Sequence, residues 1–282
     1  MSKNEPKFKS EIQRMMYIAG ETQDPSVETI AVVEEIIRDQ VVLMLTTANE
    51  LASSRGARFI SNADLFFQIR HDQVRLGRLM NLLRWNRLRL KSKAESDKGD
   101  AELAAVQDLA EVLEVPLPEV EEPEGLLSGS NQATVERLRR ADRITRRMTA
   151  KEYTRWAESR RRASFSYRKK QKFREWSGLG VIAETEPKHD CLDILSFLAC
   201  DMVERLTEMA LAIQENELQR KDGGSKSSVN KVHEGLFTTD DTEREAVGVE
   251  HVRQAFQVTQ LKAQKKRPRL HGGSEKGGLQ LI

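Results

Sequence analysis

Apolar residues recur at steps of three and four in several places within the first ninety residues, and most of these runs are bounded by a recognisable start or stop. The stretch "FKSEIQRMMYI" sets Phe8, Ile12, Met15 and Met16 on one helical face, and the pattern stops at Gly20. In "ETQDPSVE", Asp24 is placed to cap a new helix with Pro25 at its first position, where a missing N–H costs nothing. Ile30, Val33, Ile37, Val41, Met44, Ala48 and Leu51 then carry one stripe to about residue 54. A helix of that length cannot fold back on itself to bury the stripe, so it must cross another long helix. Gly56 ends it, residues 57–60 read as extended, and Ser61-x-x-Asp64 restarts the helical pattern as a capping box would. Leu65, Phe66 and Ile69 give this short helix a buried face. "QVRLGRLMNLLRWNRLRL" follows, with Leu76, Leu79, Met80 and Leu83 on one side and arginines on the other.

The second half repeats this plan. A basic helix, "ERLRRADRITRRMTAKEYTRWAESR", leads into "RRASFSYRKKQKFREWSG", which Gly178 closes. A second long helix, "HDCLDILSFLACDMVERLTEMALAIQENELQR", spaces Leu192, Leu195, Ala199, Met202, Leu206, Met209 and Ile213 as the first spaces its stripe. A polar, Gly/Ser-rich stretch near 219–246 reads as a flexible loop. "AVGVEHVRQAFQVTQLK" then predicts a short extended piece at 246–249 and a helix bearing Val252, Ala255, Phe256 and Thr259. Two long central helices, each flanked by short ones, imply an all-α chain with two similar halves.

Composition sharpens the boundaries. Residues 95–124 hold eleven Asp or Glu against one Lys, and Pro116, Pro118 and Pro123 break any helix there, so 92–135 reads as an acidic linker. Residues 137–174 then carry sixteen Lys or Arg. The formal net charge is only +2, so any case for nucleic-acid binding has to be local. Cys191 and Cys200 lie nine apart in one helical pattern, cannot face each other along it, and match no metal spacing. No run of apolar residues is long enough to span a bilayer, and no membrane association is expected.

The segments "KFKSEIQRMMYIAGETQDPSVET", "RGARFISNADLFFQIRHD" and "SRRRASFSYRKKQKFREWSG" together resemble the Spt three family, the double-histone-fold, TBP-regulating subunits of the SAGA transcription coactivator complex. Residues 8–91 are similar to the thirteenth TBP-associated factor. Residues 136–262, with "VEHVRQAF", are similar to the eleventh, and 263–282 form a basic, Gly-rich tail. The resemblance implies two histone folds in one chain forming an intramolecular pair. On that pattern Ile37, Met44, Leu51, Phe59 and Ile60 pair with Leu195, Met202, Leu206 and Met209, and residues 57–60 lie beside the loop around "VIAETEPKH". Arg58 and Asp64 are spaced like the loop-arginine and helix-aspartate clamp of histone folds, one position off the commonest spacing. The implied role is non-catalytic and needs no cofactor. It consists of binding TATA-binding protein and regulating its delivery to promoters in RNA polymerase II transcription, in the nucleus, beside other SAGA subunits that include histone-fold subunits.

Wound at about 100° per residue, the second long helix gathers Asp190, Asp193, Asp201, Glu204, Glu208 and Glu215 opposite its apolar stripe, interrupted by Phe197 and Leu211. Such a face is either an ordinary solvated flank or, given the resemblance, an acidic surface with Phe197 as an apolar anchor for TATA-binding protein. The aromatics interleaved with the basic run (Tyr153, Trp156, Phe165, Tyr167, Phe173 and Trp176) fit a core better than base stacking. The first half carries fifteen Lys or Arg against eleven acids through residue 93, too little excess to wrap DNA, so a histone-like DNA-binding or purely architectural histone-fold scaffold subunit is the alternative reading, with DNA contact expected at most within the assembly. Lys265, Lys266, Arg267 and Arg269 form a short basic cluster suited to nuclear import. The five histidines are scattered, and no phosphate loop or nucleophile elbow is present. His251 falls where a helix begins and fits a cap.

Overall fold

A computed structural model describes residues 5–96, 124–146, 148–186, 190–223, 245–265 and 281–282. The elements among them are all helical: α1 Lys9–Ile18, α2 Val27–Ser54, α3 Asn62–Ile69, α4 Gln73–Ser96, α5 Glu124–Thr145, α6 Ala150–Arg162, α7 Lys170–Ser177, α8 Cys191–Gly223 and α9 Val249–Lys265. Isolated bridges are the sole β pairing among the described residues. Both long helices run as the stripes require. Ile30, Val33, Ile37, Val41, Met44 and Ala48 are buried along α2, and Leu51 is half-buried.

The chain forms two compact units, and each draws on both halves of the sequence. One comprises Met1–Leu43, Thr149–Phe173 and Leu198–Ile282; the other comprises Met44–Met148 and Arg174–Phe197. Segments from one half therefore share a core with segments from the other, as an intramolecular histone-fold pair demands. The divisions expected at 8–91, 92–135, 136–262 and 263–282 follow chain order, whereas the compact units do not.

In the first unit the core is aromatic. Phe8 meets Phe165 edge-on at 5.2 Å between centroids, and Phe165 stacks on Phe173 at 5.6 Å, with all three fully buried. The Glu34 carboxylate, from α2, accepts the amides of Lys7 at 3.1 Å and Phe8 at 2.9 Å, satisfying donors at the start of α1 that the helix cannot. Buried Glu11 pairs with Lys169. Residues 245–248 are bound to two other parts of the unit. The Val247 amide donates to Glu21, its carbonyl accepts from Thr29 Oγ1, and Gln214 donates to the Glu245 carbonyl at 2.9 Å.

In the second unit Gly56, at φ 72°, turns the chain out of α2, a conformation glycine adopts without a Cβ clash. The core gathers Met44, Leu45, Ile60, Leu65, Leu79, Trp176, Cys191, Ile194 and Leu195. Of the aromatics in the basic run, Trp176 is buried here; Trp156, Phe165 and Phe173 are buried in the first unit, while Tyr153 and Tyr167 are exposed.

Several local expectations are corrected. The long helix begins at Val27, capped by Ser26, whose Oγ accepts the Thr29 amide at 3.0 Å; Asp24 instead accepts from Gln13. The single basic helix is two, α5 and α6, because Thr149 and Glu152 form a capping box that starts α6 afresh. Helix returns at Glu124, before the expected end of the linker, and residues 97–123 lie outside the described residues. Residues 246–248 pair with no strand, and Val249 already begins α9.

Candidate functional site

The two pairing loops meet directly. The Ile60 amide donates to the Glu184 carbonyl at 2.9 Å, and Ile60 forms a parallel bridge with Thr185. The extended piece after Gly56 thus meets the loop before α8, as anticipated. Behind it, Cys191 Sγ donates to Asn62 Oδ1 at 3.3 Å, joining the starts of α3 and α8. Burial, followed by the nearby Asp64 and Asp190 charges, pushes the Cys191 thiol up to about 12. It is therefore an inert, neutral donor at ordinary pH. Cys200 is half-buried and in no disulfide.

The clamp is built differently from the expected Arg58–Asp64 pair. Asp64, 4% exposed, receives Arg55 Nη2 at 2.7 Å, the Ser61 amide at 2.8 Å and Ser61 Oγ at 2.9 Å. Arg55 sits just past the last turn of α2, level with the first turn of α3, and its side chain spans the bend. Arg58 lies in the extended piece; its guanidinium is 3.6 Å from Glu184 and over the ring of Phe59. Phe59 is consequently half-buried, whereas Ile60 is fully buried.

Helix α8 departs from a simple two-faced pattern. Leu195, Met202 and Leu206 are buried, but Met209 and Ile213 are half-buried, and Met209 Sδ accepts from Thr259 of α9. Among the acids of the expected TATA-binding-protein face, Asp201 is 2% exposed with Arg205 at 3.6 Å, so it is no surface group. Asp193 and Phe197 are half-buried, and Arg78 lies over the Phe197 ring at 5.4 Å. Phe197 is therefore not an open anchor. Glu204 and Glu208 are half-buried, and Glu215 is exposed. Leu218, 49% exposed, falls on the same stripe as these three glutamates.

At the start of α9 the Gly248 amide donates to His251 Nδ1 at 3.0 Å, which leaves the ring proton on Nε2, facing Glu217 Oε2 at 3.3 Å. His251 is a cap, as its position suggested. No cluster of His, Cys, Asp or Glu suited to a metal occurs among the described residues. No described helix is long and apolar enough to cross a membrane. Lys265 ends α9; Lys266, Arg267 and Arg269 lie outside the described residues.

A family model described as "Transcription initiation factor IID, 18kD subunit" matches residues 6–98. The SAGA complex subunit Spt3 of Schizosaccharomyces pombe is 39% identical over 300 residues, covering 98% of this chain and 97% of the relative. The chain belongs to the Spt3 family. The Saccharomyces cerevisiae SAGA complex subunit SPT3 is 34% identical over 79% of each chain. Transcription initiation factor TFIID subunit 13 of Arabidopsis thaliana is 37% identical over 76 residues, 27% of this chain. An Spt3-family chain is a non-catalytic, histone-fold transcription subunit.

Proposed function

We propose that this chain serves in a SAGA coactivator complex in the nucleus, binding TATA-binding protein and regulating its delivery to promoters. The observation that carries the reading is the run Glu204, Glu208, Glu215 and Leu218 along α8. It combines negative charge with an exposed apolar side chain at helical spacing. A basic, DNA-binding partner is attracted to such a stripe over distance, and an apolar contact then slows its release. Asp201 drops out of the proposed contact because it is buried, and Phe197, half-buried with Arg78 over its ring, is not its central anchor. Other SAGA subunits, including histone-fold subunits, are the remaining partners, and any DNA contact is confined to the assembly.

The test is TATA-binding-protein binding to the full chain, followed by fluorescence anisotropy at two salt concentrations, beside Glu204→Lys/Glu208→Lys and Leu218→Ser. Weakened binding with an unchanged circular dichroism spectrum is expected for both variants, more strongly at low salt for the charge reversal. Undiminished binding by both variants at low salt would remove this face from consideration.

A further inference from the structure

Leu281 and Ile282, the last residues of the sequence, do not trail into solvent. Ile282 is 5% exposed, and its amide donates at 2.9 Å to Oε1 of Gln40, in the middle of α2. Gln40 is itself fully buried, one turn beyond the buried Ile36 and Ile37, and its Nε2 has no hydrogen-bond partner. A glutamine amide in that apolar setting is costly unless something meets it. Here an apolar residue 242 positions away in the sequence supplies both the matching N–H and a side chain for the surrounding core. All of this lies within one compact unit.

We propose that the first unit contains a peptide-binding site beside Gln40 of α2, filled in cis by Leu281–Ile282. Its ligand class is an extended segment bearing an aliphatic residue whose backbone N–H reaches the Gln40 oxygen. Because the segment belongs to the same chain, it meets the site at an effective concentration on the order of millimolar. Modest intrinsic affinity therefore suffices to keep the site filled, and release of the tail opens it to another aliphatic segment. The residues this site is argued from, Gln40 and Ile282, are not those of the proposed TATA-binding-protein face, so the two readings are tested separately.

The experiment compares the full chain with a variant ending at Gln280, using a fluorescein-labelled peptide of residues 276–282. The shortened variant is expected to bind the peptide saturably, whereas the full chain excludes it. Ile282→Asp in the peptide, or Gln40→Leu in the shortened variant, weakens binding by about tenfold or more. Equal uptake by both chains, or none by a folded shortened variant at millimolar peptide, overturns the proposal. A second measurement covers the case in which shortening unfolds the chain. Full-length Ile282→Asp keeps the whole tail and releases only the anchor, and amide exchange across residues 33–43 should quicken about tenfold or more. Unchanged protection there also overturns it.

Discussion

Arg55, and not Arg58, holds Asp64, and the two arginines should therefore separate cleanly in a stability experiment. The Asp64 carboxylate is almost fully buried and accepts three donors, one of them the Arg55 guanidinium, whose side chain is 49% exposed. That exposure screens the pair, so Arg55→Ala should cost about 1–2 kcal/mol, well short of the value for a fully buried pair. Asp64→Ala removes the Ser61 contacts as well, worth about 1 kcal/mol as a lost helix cap, for a total of about 2–3 kcal/mol. Arg58 stands 3.6 Å from Glu184 with the two side chains 79% and 55% exposed, so Arg58→Ala should stay within about 0.5 kcal/mol. Urea denaturation followed by circular dichroism, with the slope checked for constancy, gives the differences. In thermal melts a loss of about 2 kcal/mol corresponds to roughly 4–8 °C. The double-mutant cycle is the decisive reading: Arg55 and Asp64 should couple by about 1 kcal/mol, and Arg58 and Asp64 by nothing measurable. Coupling of Asp64 to Arg58 in excess of its coupling to Arg55 would refute the assignment.

Other consequences are sharper in sign than in size. Ile60→Ala should destabilise the chain by about 2–4 kcal/mol in the same assay, and Ile60→Pro by more, because it also deletes the N–H that meets Glu184. Phe165→Ala opens the aromatic cluster with Phe8 and Phe173 and should cost about 3–5 kcal/mol. Raised from its ordinary value near 9 to about 12, the Cys191 thiol keeps its proton in the folded chain where the unfolded chain has lost it. Stability is then full below pH 9 and falls with rising pH between about 9 and 12, by about 1.4 kcal/mol per unit at most. Alkaline denaturation of Cys191→Ala should lack that component of the slope. Native-state alkylation should modify half-buried Cys200 before buried Cys191.

The sequence spoke most clearly where the causes are local. Gly56 supplies a positive φ, Ser61 and Asp64 are three residues apart, and the α2 stripe repeats at helical spacing; each is readable without knowing what lies across the core. The break at 146–149 was legible on the same terms, since Thr149-x-x-Glu152 is itself a capping signature, but the many arginines on either side mask it. Arg55 carried a weaker signal. Two arginines near a carboxylate satisfy the spacing about equally, and only the direction in which the last turn of α2 aims its side chains decides between them. Gln40 and Ile282 carried none, because a partner 242 positions away leaves no trace in local pattern.

The acidic face of α8 shows a different boundary. A helical wheel assumes one buried face and one wet face, a fair description of a helix lying on a single surface. In α8 burial extends further round the helix: Cys191, Ile194, Leu195, Ser196, Leu198, Ala199, Asp201, Met202, Val203, Leu206 and Thr207 are all buried within little more than four turns. Under that constraint an acidic residue near the helix centre is as apt to be an internal ion-pair member, like Asp201 with Arg205, as a surface group. Full exposure begins only beyond Ala210, where Glu215 and Leu218 reach solvent, while Glu204 and Glu208 ahead of it are half-buried. The proposed surface for a basic partner on this helix accordingly runs from Glu204 to Leu218 and leaves out the buried Asp201. Charge reversals at Glu204, Glu208 and Glu215 should act on binding, whereas reversal at Asp201 should act first on stability.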